Sequence, residues 1–331
     1  MKRLKSLLMS WEALLVVLLL VSIVLGASLS PYFLSGFNFY ALTSNIMEIA
    51  IMALPMTLII IAGEIDLSVA SVLGLSSVVL GLLWERGNPM WLAIGVALLV
   101  GLVAGLLTGL LVTRLALPSL VVTIGALALF RGLAYVVLGD QAVSNFPTAF
   151  TNFGFSPIPG TELPWSGLIF IILALVFVVV LHFSRLGRQL YAIGNNKEAA
   201  RFSGINVSRV KLVLFILSGV IAALAGVIFT ARFSSARPDN AVGFELDVVT
   251  VVLLGGVNIF GGRGSLLGVV LAIFIIAVLQ NVLGLLNISG DIQSLAIGLL
   301  LILSVLGPNL ARRIQVVLAR RRLAVGSSKQ L

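Results

Sequence analysis

Hydrophobic residues run along this chain in long blocks, broken by short polar punctuation. A helix needs about 20 apolar residues to cross the hydrocarbon core of a bilayer. Ten blocks approach that length, at 11–29, 41–62, 67–84, 91–113, 118–138, 165–183, 212–231, 246–262, 265–286 and 292–310. They predict an all-α polytopic membrane protein of about ten transmembrane helices, forming one transmembrane unit over 1–331. Only Gly63-Glu64-Ile65-Asp66 separates the second block from the third. The eighth is short and glycine-rich. Broken or re-entrant segments are therefore expected near 63–71 and 254–265. Two connections exceed what a simple turn needs: 139–164, rich in Phe, Pro and Gly, and 184–211, which is polar.

Composition agrees with lipid as the solvent. Of 331 residues, 60% are hydrophobic and 10% charged, against about 25% charged in a typical soluble domain. The chain has no cysteine and a single histidine, His182. Disulfides, thiolate metal sites and paired-imidazole sites are excluded on that count. The formal net charge of +9 might point to nucleic acid in a soluble protein, but here the basic residues are segregated. With the N-terminus inside and the blocks alternating, the inside segments hold Lys2, Arg3, Lys5, Arg114, Arg185, Arg188, Lys197, Arg201, Arg209, Lys211, Arg263, Arg312, Arg313, Arg320, Arg321, Arg322 and Lys329. Arg86, Arg232 and Arg237 fall outside, and Arg131 lies within a block. This is the positive-inside bias. It predicts a multi-pass membrane protein with both termini cytoplasmic, touching lipid and no nucleic acid. Trp11, Trp84, Trp91 and Trp165 all stand at block ends, where an amphipathic ring prefers the headgroup level. The first block follows a basic start like a signal peptide, but further spans follow at once and it reads as a retained helix.

Four features carry candidate chemistry. Glu64 and Asp66 interrupt an apolar stretch, and Ser68 and Ser71 stand to cap the helix that follows. The stretch is either a tight turn with exposed acids or a broken helix lining a cavity. Five glycines between Gly255 and Gly264, with Asn258 among them, predict unwound backbone. No Gly-Lys pair exists in the chain, so no phosphate loop is read here. In the 184–211 connection, Asn196 caps a short helix through Glu198, Ala199 and Ala200, which Gly204 ends. That helix is either a docking element or part of a solvated basic loop. Polar residues inside blocks are Asn45, Glu48, Arg131, Gln280, Asn281 and Gln293. Such groups usually face a bundle interior or a water-filled path, although Arg131 also stands within snorkelling reach of the outer boundary. The candidate solute path is Asn45, Glu48, Glu64, Asp66, Arg131, Asn258 and Asn281. Gly101-x-x-x-Gly105-x-x-x-Gly109 reads as close helix packing within the chain, with a dimer face as the alternative.

Taken in order, the segments Gly63–Ser71, Thr123–Gly132, Gly187–Asn206, Phe244–Asp247 and Val252–Gly262 give the chain a specific likeness. It resembles the permease subunits of bacterial ABC importers for monosaccharides, the ribose/xylose type that includes rhamnose and autoinducer-2 permeases. The resemblance implies alternating-access transport of a sugar or sugar-like solute, without catalytic residues and without a cofactor of its own, ATP being bound by a separate subunit. It also implies cytoplasmic ATPase subunits, a second permease subunit and an extracytoplasmic solute-binding protein. In the family the loop matching Tyr191–Asn206 docks on the ATPase, which assigns Gly194, Asn196, Glu198, Ala199, Ala200, Arg201 and Gly204 to coupling. The chain departs from the pattern at Glu64 and Ala70, where glycines are common. The alternatives are a permease for branched-chain amino acids or nucleosides, and a proton-coupled secondary transporter using Glu48 or Asp66.

Overall fold

The computed structural model describes residues 11–304 and 306. The basic residues Lys2, Arg3 and Lys5 and those from Arg312 to Lys329 lie outside them, as does the far end of the tenth block. In chain order the helices are α1 (Trp11–Leu29), α2 (Gly36–Ile61), α3 (Val69–Glu85), α4 (Met90–Arg114), α5 (Ser119–Leu138), α6 (Thr148–Phe155) and α7 (Trp165–Val178). A π-helical turn over Val179–Phe183 extends α7. Then come α8 (Arg185–Asn195), α9 (Lys197–Phe202), α10 (Val207–Phe233), α11 (Phe244–Leu254), α12 (Leu266–Leu285) and α13 (Gly290–Ser304). Among the described residues the only β pairing is two isolated bridges.

The protein is an all-α polytopic membrane protein. Among the described residues, seven helices are long and apolar enough to span: α1, α2, α4, α5, α7 with its π turn, α10 and α12. The count of about ten full spans is not confirmed: the remaining three blocks hold shorter helices over the described residues. Helix α3 has 17 residues and α13 is shorter than a full span over its described residues. Helix α11 has 11 residues, about 16 Å at 1.5 Å per residue, or half a hydrocarbon core. The block at 246–262 overreached because its composition is apolar throughout, whereas its backbone turns at Gly255.

Helix α2 is the hub, with 94% of its most apolar window buried. It packs against α7, α10, α11 and α12. Helix α1 lies at the periphery against α12, with 11% of its window buried. Between lipid-facing helices there is no hydrophobic drive to associate, so close van der Waals contact has to hold them. The α4–α10 seam shows how. A Cβ placed on Gly101 would sit 2.3 Å from the Gly219 carbonyl oxygen, and one on Gly105 would sit 2.4 Å from that of Phe215. The glycine row of α4 therefore packs within the chain, and its reading as a dimer face is overturned.

Both predicted breaks are present, and both begin with the same helix ending. At the end of α2, Gly63 (φ +78°) donates to Ile60 O and Glu64 to Ile59 O. At the end of α11, Gly256 (φ +86°) donates to Leu253 O and Val257 to Val252 O. These are Schellman endings, which need a residue tolerant of the left-handed region and satisfy carbonyls that lipid cannot. Replacing Gly219 by Leu is expected to lower stability by about 1–3 kcal/mol through overpacking. Replacing Gly95, where an added Cβ meets nothing within 4 Å, should be nearly neutral. Thermal unfolding of the solubilised protein compares the two, and equal losses would contradict the seam.

Candidate functional site

The bundle has two distinct ends. One carries α8, α9, the α4–α5 turn and both breaks. The other carries α6 and the 234–243 loop between α10 and α11.

At the first end the backbone ties the breaks together. Gly262 N–H donates to Ile61 O at 2.9 Å, joining the glycine-rich stretch to the end of α2. Helix α8 lies across this junction. Tyr191 Oη donates to Gly264 O at 2.8 Å, and Asn195 Nδ2 reaches Gly262 O at 3.4 Å. Gly194 marks the crossing: a Cβ there would stand 1.9 Å from Ile61 O and 2.3 Å from Gly262 N. The chain then turns at Asn196, whose Oδ1 accepts from Ala199 N–H at 3.0 Å and caps α9. Gly204 (φ +82°) closes α9, with Ile205 N–H returning to Ala200 O at 3.1 Å. Ala200 is buried; Glu198, Ala199 and Arg201 are exposed, and Phe202 is 89% exposed at the tip. The expected short capped helix is present, preceded by α8, whose amphipathic run the sequence reading passed over.

The acids of the first break diverge. Glu64 pairs with Lys211 of α10. Asp66 is buried, its Oδ1 accepting from Ser68 N–H at 3.0 Å and from Ser68 Oγ at 2.6 Å, and its Oδ2 from Ser218 Oγ at 2.8 Å. Ser68 therefore serves Asp66 rather than capping α3, which has no side-chain cap. Ser71 returns to Ser68 O. Asn258 folds the glycine-rich turn on itself, accepting from Phe260 N–H at 3.0 Å.

Deeper in the bundle, Glu48 of α2 is fully buried and Arg232 of α10 meets it with two bonds, 2.8 Å from Nε and 3.1 Å from Nη2. Arg232 Nη1 donates to Asn45 Oδ1 at 2.9 Å, and its guanidinium carbon lies 4.1 Å from the Phe233 ring centroid. A planar fork matched to a carboxylate is the geometry that offsets desolvation best. Arg131 does not snorkel. Its Nη1 donates to Asn240 O at 2.8 Å and to Pro238 O, and its Nη2 to Ala70 O at 3.2 Å. It pins the 234–243 loop onto α3. In that loop Arg237 donates two bonds to exposed Asp239 and holds its carboxyl below the usual carboxylate range.

Asn45 and Asn281 share a cavity of about 500 Å³ between α2, α12 and α13, which Asn38, Gln280 and Gln293 also line. Asn38 and Asn281 exchange reciprocal amide bonds of 2.9 and 2.8 Å. Its polar lining is entirely carboxamide, a set that offers donors and acceptors without charge. Of the proposed path residues, the structure brings Asn45, Glu48 and Asn281 to this region. It leaves Glu64, Asp66 and Asn258 at the break end and Arg131 in a backbone clamp. Sequence reading missed Asn38, Lys211, Ser218 and Arg232. Asn38 stands seven residues before Asn45, two turns along one helix face, which was a usable signal. Removing Arg232 alone (Arg232→Ala) strands a buried carboxylate and should cost about 3–5 kcal/mol. The pair Glu48→Leu with Arg232→Met should recover much of it. Thermal unfolding of both variants decides, and no recovery in the double variant would contradict a simple charge pair.

The family described as branched-chain amino acid transport system / permease component matches residues 38–305. Among curated proteins, the autoinducer 2 import system permease protein of Yersinia enterocolitica is 36% identical over 95% of this chain and 97% of its own length. The proteins of the same name from Klebsiella pneumoniae (35%; 92% of each chain) and Escherichia coli (36%; 94% of this chain and 96% of the relative) are similarly alike. No solved structure matches. Seven spanning helices, two capped breaks and a family match across the bundle lead to one conclusion: this chain belongs to the permease components of the branched-chain amino acid transport system family.

Proposed function

We propose that this chain is the membrane permease subunit of an ATP-driven importer for a sugar-like solute of the autoinducer-2 type, in the bacterial inner membrane. The observation that carries the reading is the likeness, over 95% of the chain, to permeases named for autoinducer 2 import. The carboxamide cavity supports it, since amides suit a polar, uncharged solute that must also leave again. A branched-chain amino acid would bring a carboxylate and an ammonium group. The charged groups nearest that cavity, Glu48 and Arg232, already neutralise each other.

In this reading α8 and α9 face the cytoplasm and rest on an ATPase partner, with Glu198 and Phe202 at the exposed tip forming the contact. Arg185, Arg188, Lys197, Arg201, Arg209 and Arg263 gather at that end, as the positive-inside bias requires of a cytoplasmic face. Motion of α8 passes directly into both breaks through Tyr191, Gly194 and Asn195. A coupling lever has to bias two arrangements a few kcal/mol apart, and capped breaks with flexible glycines are where a helix bundle can yield. A solute-binding protein sits over the opposite end, where α6 packs on α10 at Ala231 and Arg232. A second permease subunit completes the path.

Uptake into proteoliposomes of the assembled importer tests the class. Sugar-like solute should enter with ATP inside and continue when the proton gradient is collapsed; loss of uptake on collapse would favour a secondary transporter. Uptake of leucine in place of the sugar-like solute would favour the amino acid class. Two variants test the parts. Asn45→Leu or Asn281→Leu should reduce uptake at least tenfold while the protein stays folded. Phe202→Ala combined with Glu198→Ala should leave basal ATP hydrolysis of the assembled complex present but abolish its stimulation by loaded binding protein. Unchanged stimulation would remove α9 from the contact.

A further inference from the structure

A second cavity, unrelated to the carboxamide site, opens at the α8–α9 end. Its volume is about 670 Å³, and it lies between the α4–α5 turn, α9 and the start of α10. Lys197, Arg201 and Lys211 line it, with Glu64 as the one carboxylate. Glu64 is already matched by Lys211, and that pair is nearly buried, with side-chain exposures of 15% and 6%. Lys197 and Arg201 have no ion-pair partner among the described residues. The cavity therefore presents two uncompensated cations. Ser208 and Asn206, at the first turn of α10, add polar groups to the same wall. The opposite lip is apolar: Leu117 lines the cavity and is 44% exposed, and its neighbour Leu115 is 62% exposed. These leucines belong to the turn joining two spanning helices, so the mouth lies at the lipid–water boundary.

We propose that this cavity binds the phosphate headgroup of an anionic phospholipid from the leaflet on the α8–α9 side. Two cations at headgroup depth attract an anionic phosphate. The apolar lip accepts the first methylenes of the acyl chains, which a soluble phosphate ester lacks. The occupant would wedge between the α4–α5 turn and α9. The leaflet composition would then set how α9 is held relative to the bundle. The inference rests on the geometry of this cavity alone and stands whether or not the transport reading does.

The test is native mass spectrometry of the full-length protein taken from nanodiscs of phosphatidylglycerol and phosphatidylethanolamine. The wild type should retain phosphatidylglycerol in preference. The variant Lys197→Ala/Arg201→Ala should retain roughly tenfold less, and Arg188→Ala, a basic residue at the same end that does not line the cavity, should retain it as the wild type does. Added phosphatidylglycerol should also raise the melting temperature of the wild type in detergent and not that of the double variant, which separates lost binding from lost folding. Equal retention in all three proteins, or equal loss in Arg188→Ala, would overturn the site. Displacement of the lipid by millimolar inorganic phosphate would overturn the lipid assignment in favour of a soluble phosphate.

Discussion

The contact between Gly262 N–H and Ile61 O joins the two places where the backbone leaves helical geometry. In a bilayer each open peptide group costs several kcal/mol, because lipid offers no replacement partner. A break is tolerated there only if protein supplies the missing bonds. The ends of α2 and α11 each recover two carbonyls by their own Schellman turns, and Ile61 O is answered from the other break. Much of the remaining architecture at that end follows. Gly194 has to be glycine for α8 to lie on the junction, and Tyr191 and Asn195 then reach Gly264 O and Gly262 O from α8. Helix α8 is thus not appended to the bundle but built onto its two backbone breaks.

Charge inside the bundle is handled by a different device at each depth. Glu48 and Arg232 cancel each other with fork geometry. Arg131 is satisfied by backbone carbonyls, which ties its retention to the shape of the 234–243 loop. Asp66 accepts from Ser68, just ahead of α3, and from Ser218 of α10, which ties the first break to α10. The polar side chains that face the cavity between α2, α12 and α13 are amides. For the proposed solute path this division has a physical sense: Glu48 and Arg232 occupy one another, and the uncharged amides are left to the cavity.

The fold class was legible because lipid demands long apolar blocks, and the broken segments were legible because glycine runs and paired acids cannot continue a buried helix. The number of full spans was not. Composition does not record that Gly255 turns the chain, and an apolar half-helix followed by an apolar turn reads as one block. Asn196 and Gly204 announced the ends of α9 through ordinary capping chemistry. Arg232 was hidden for a clear reason. Standing at the end of a block, it counted as an outer loop charge, whereas α10 runs to Phe233 and places it against the middle of α2. Partners of this kind, 184 residues apart for Glu48 and Arg232, are fixed by tertiary packing and leave no mark in local sequence.

Helix α1 has a history written into its contacts. Trp11 Nε1 donates to Leu254 O at 3.0 Å, and Ser265 Oγ donates to Glu12 Oε1 at 2.9 Å; these partners are 243 and 253 residues apart in the chain. At roughly 5–20 residues per second of synthesis, the first helix waits on the order of 10–50 s before either partner exists. Throughout that interval the bonds from Trp11 to Leu254 and from Ser265 to Glu12 cannot form. Its apolar surface, left mostly facing lipid in the finished protein, suits it to that wait. Helix α1 can therefore close over the glycine turn only once α11 and α12 have arrived.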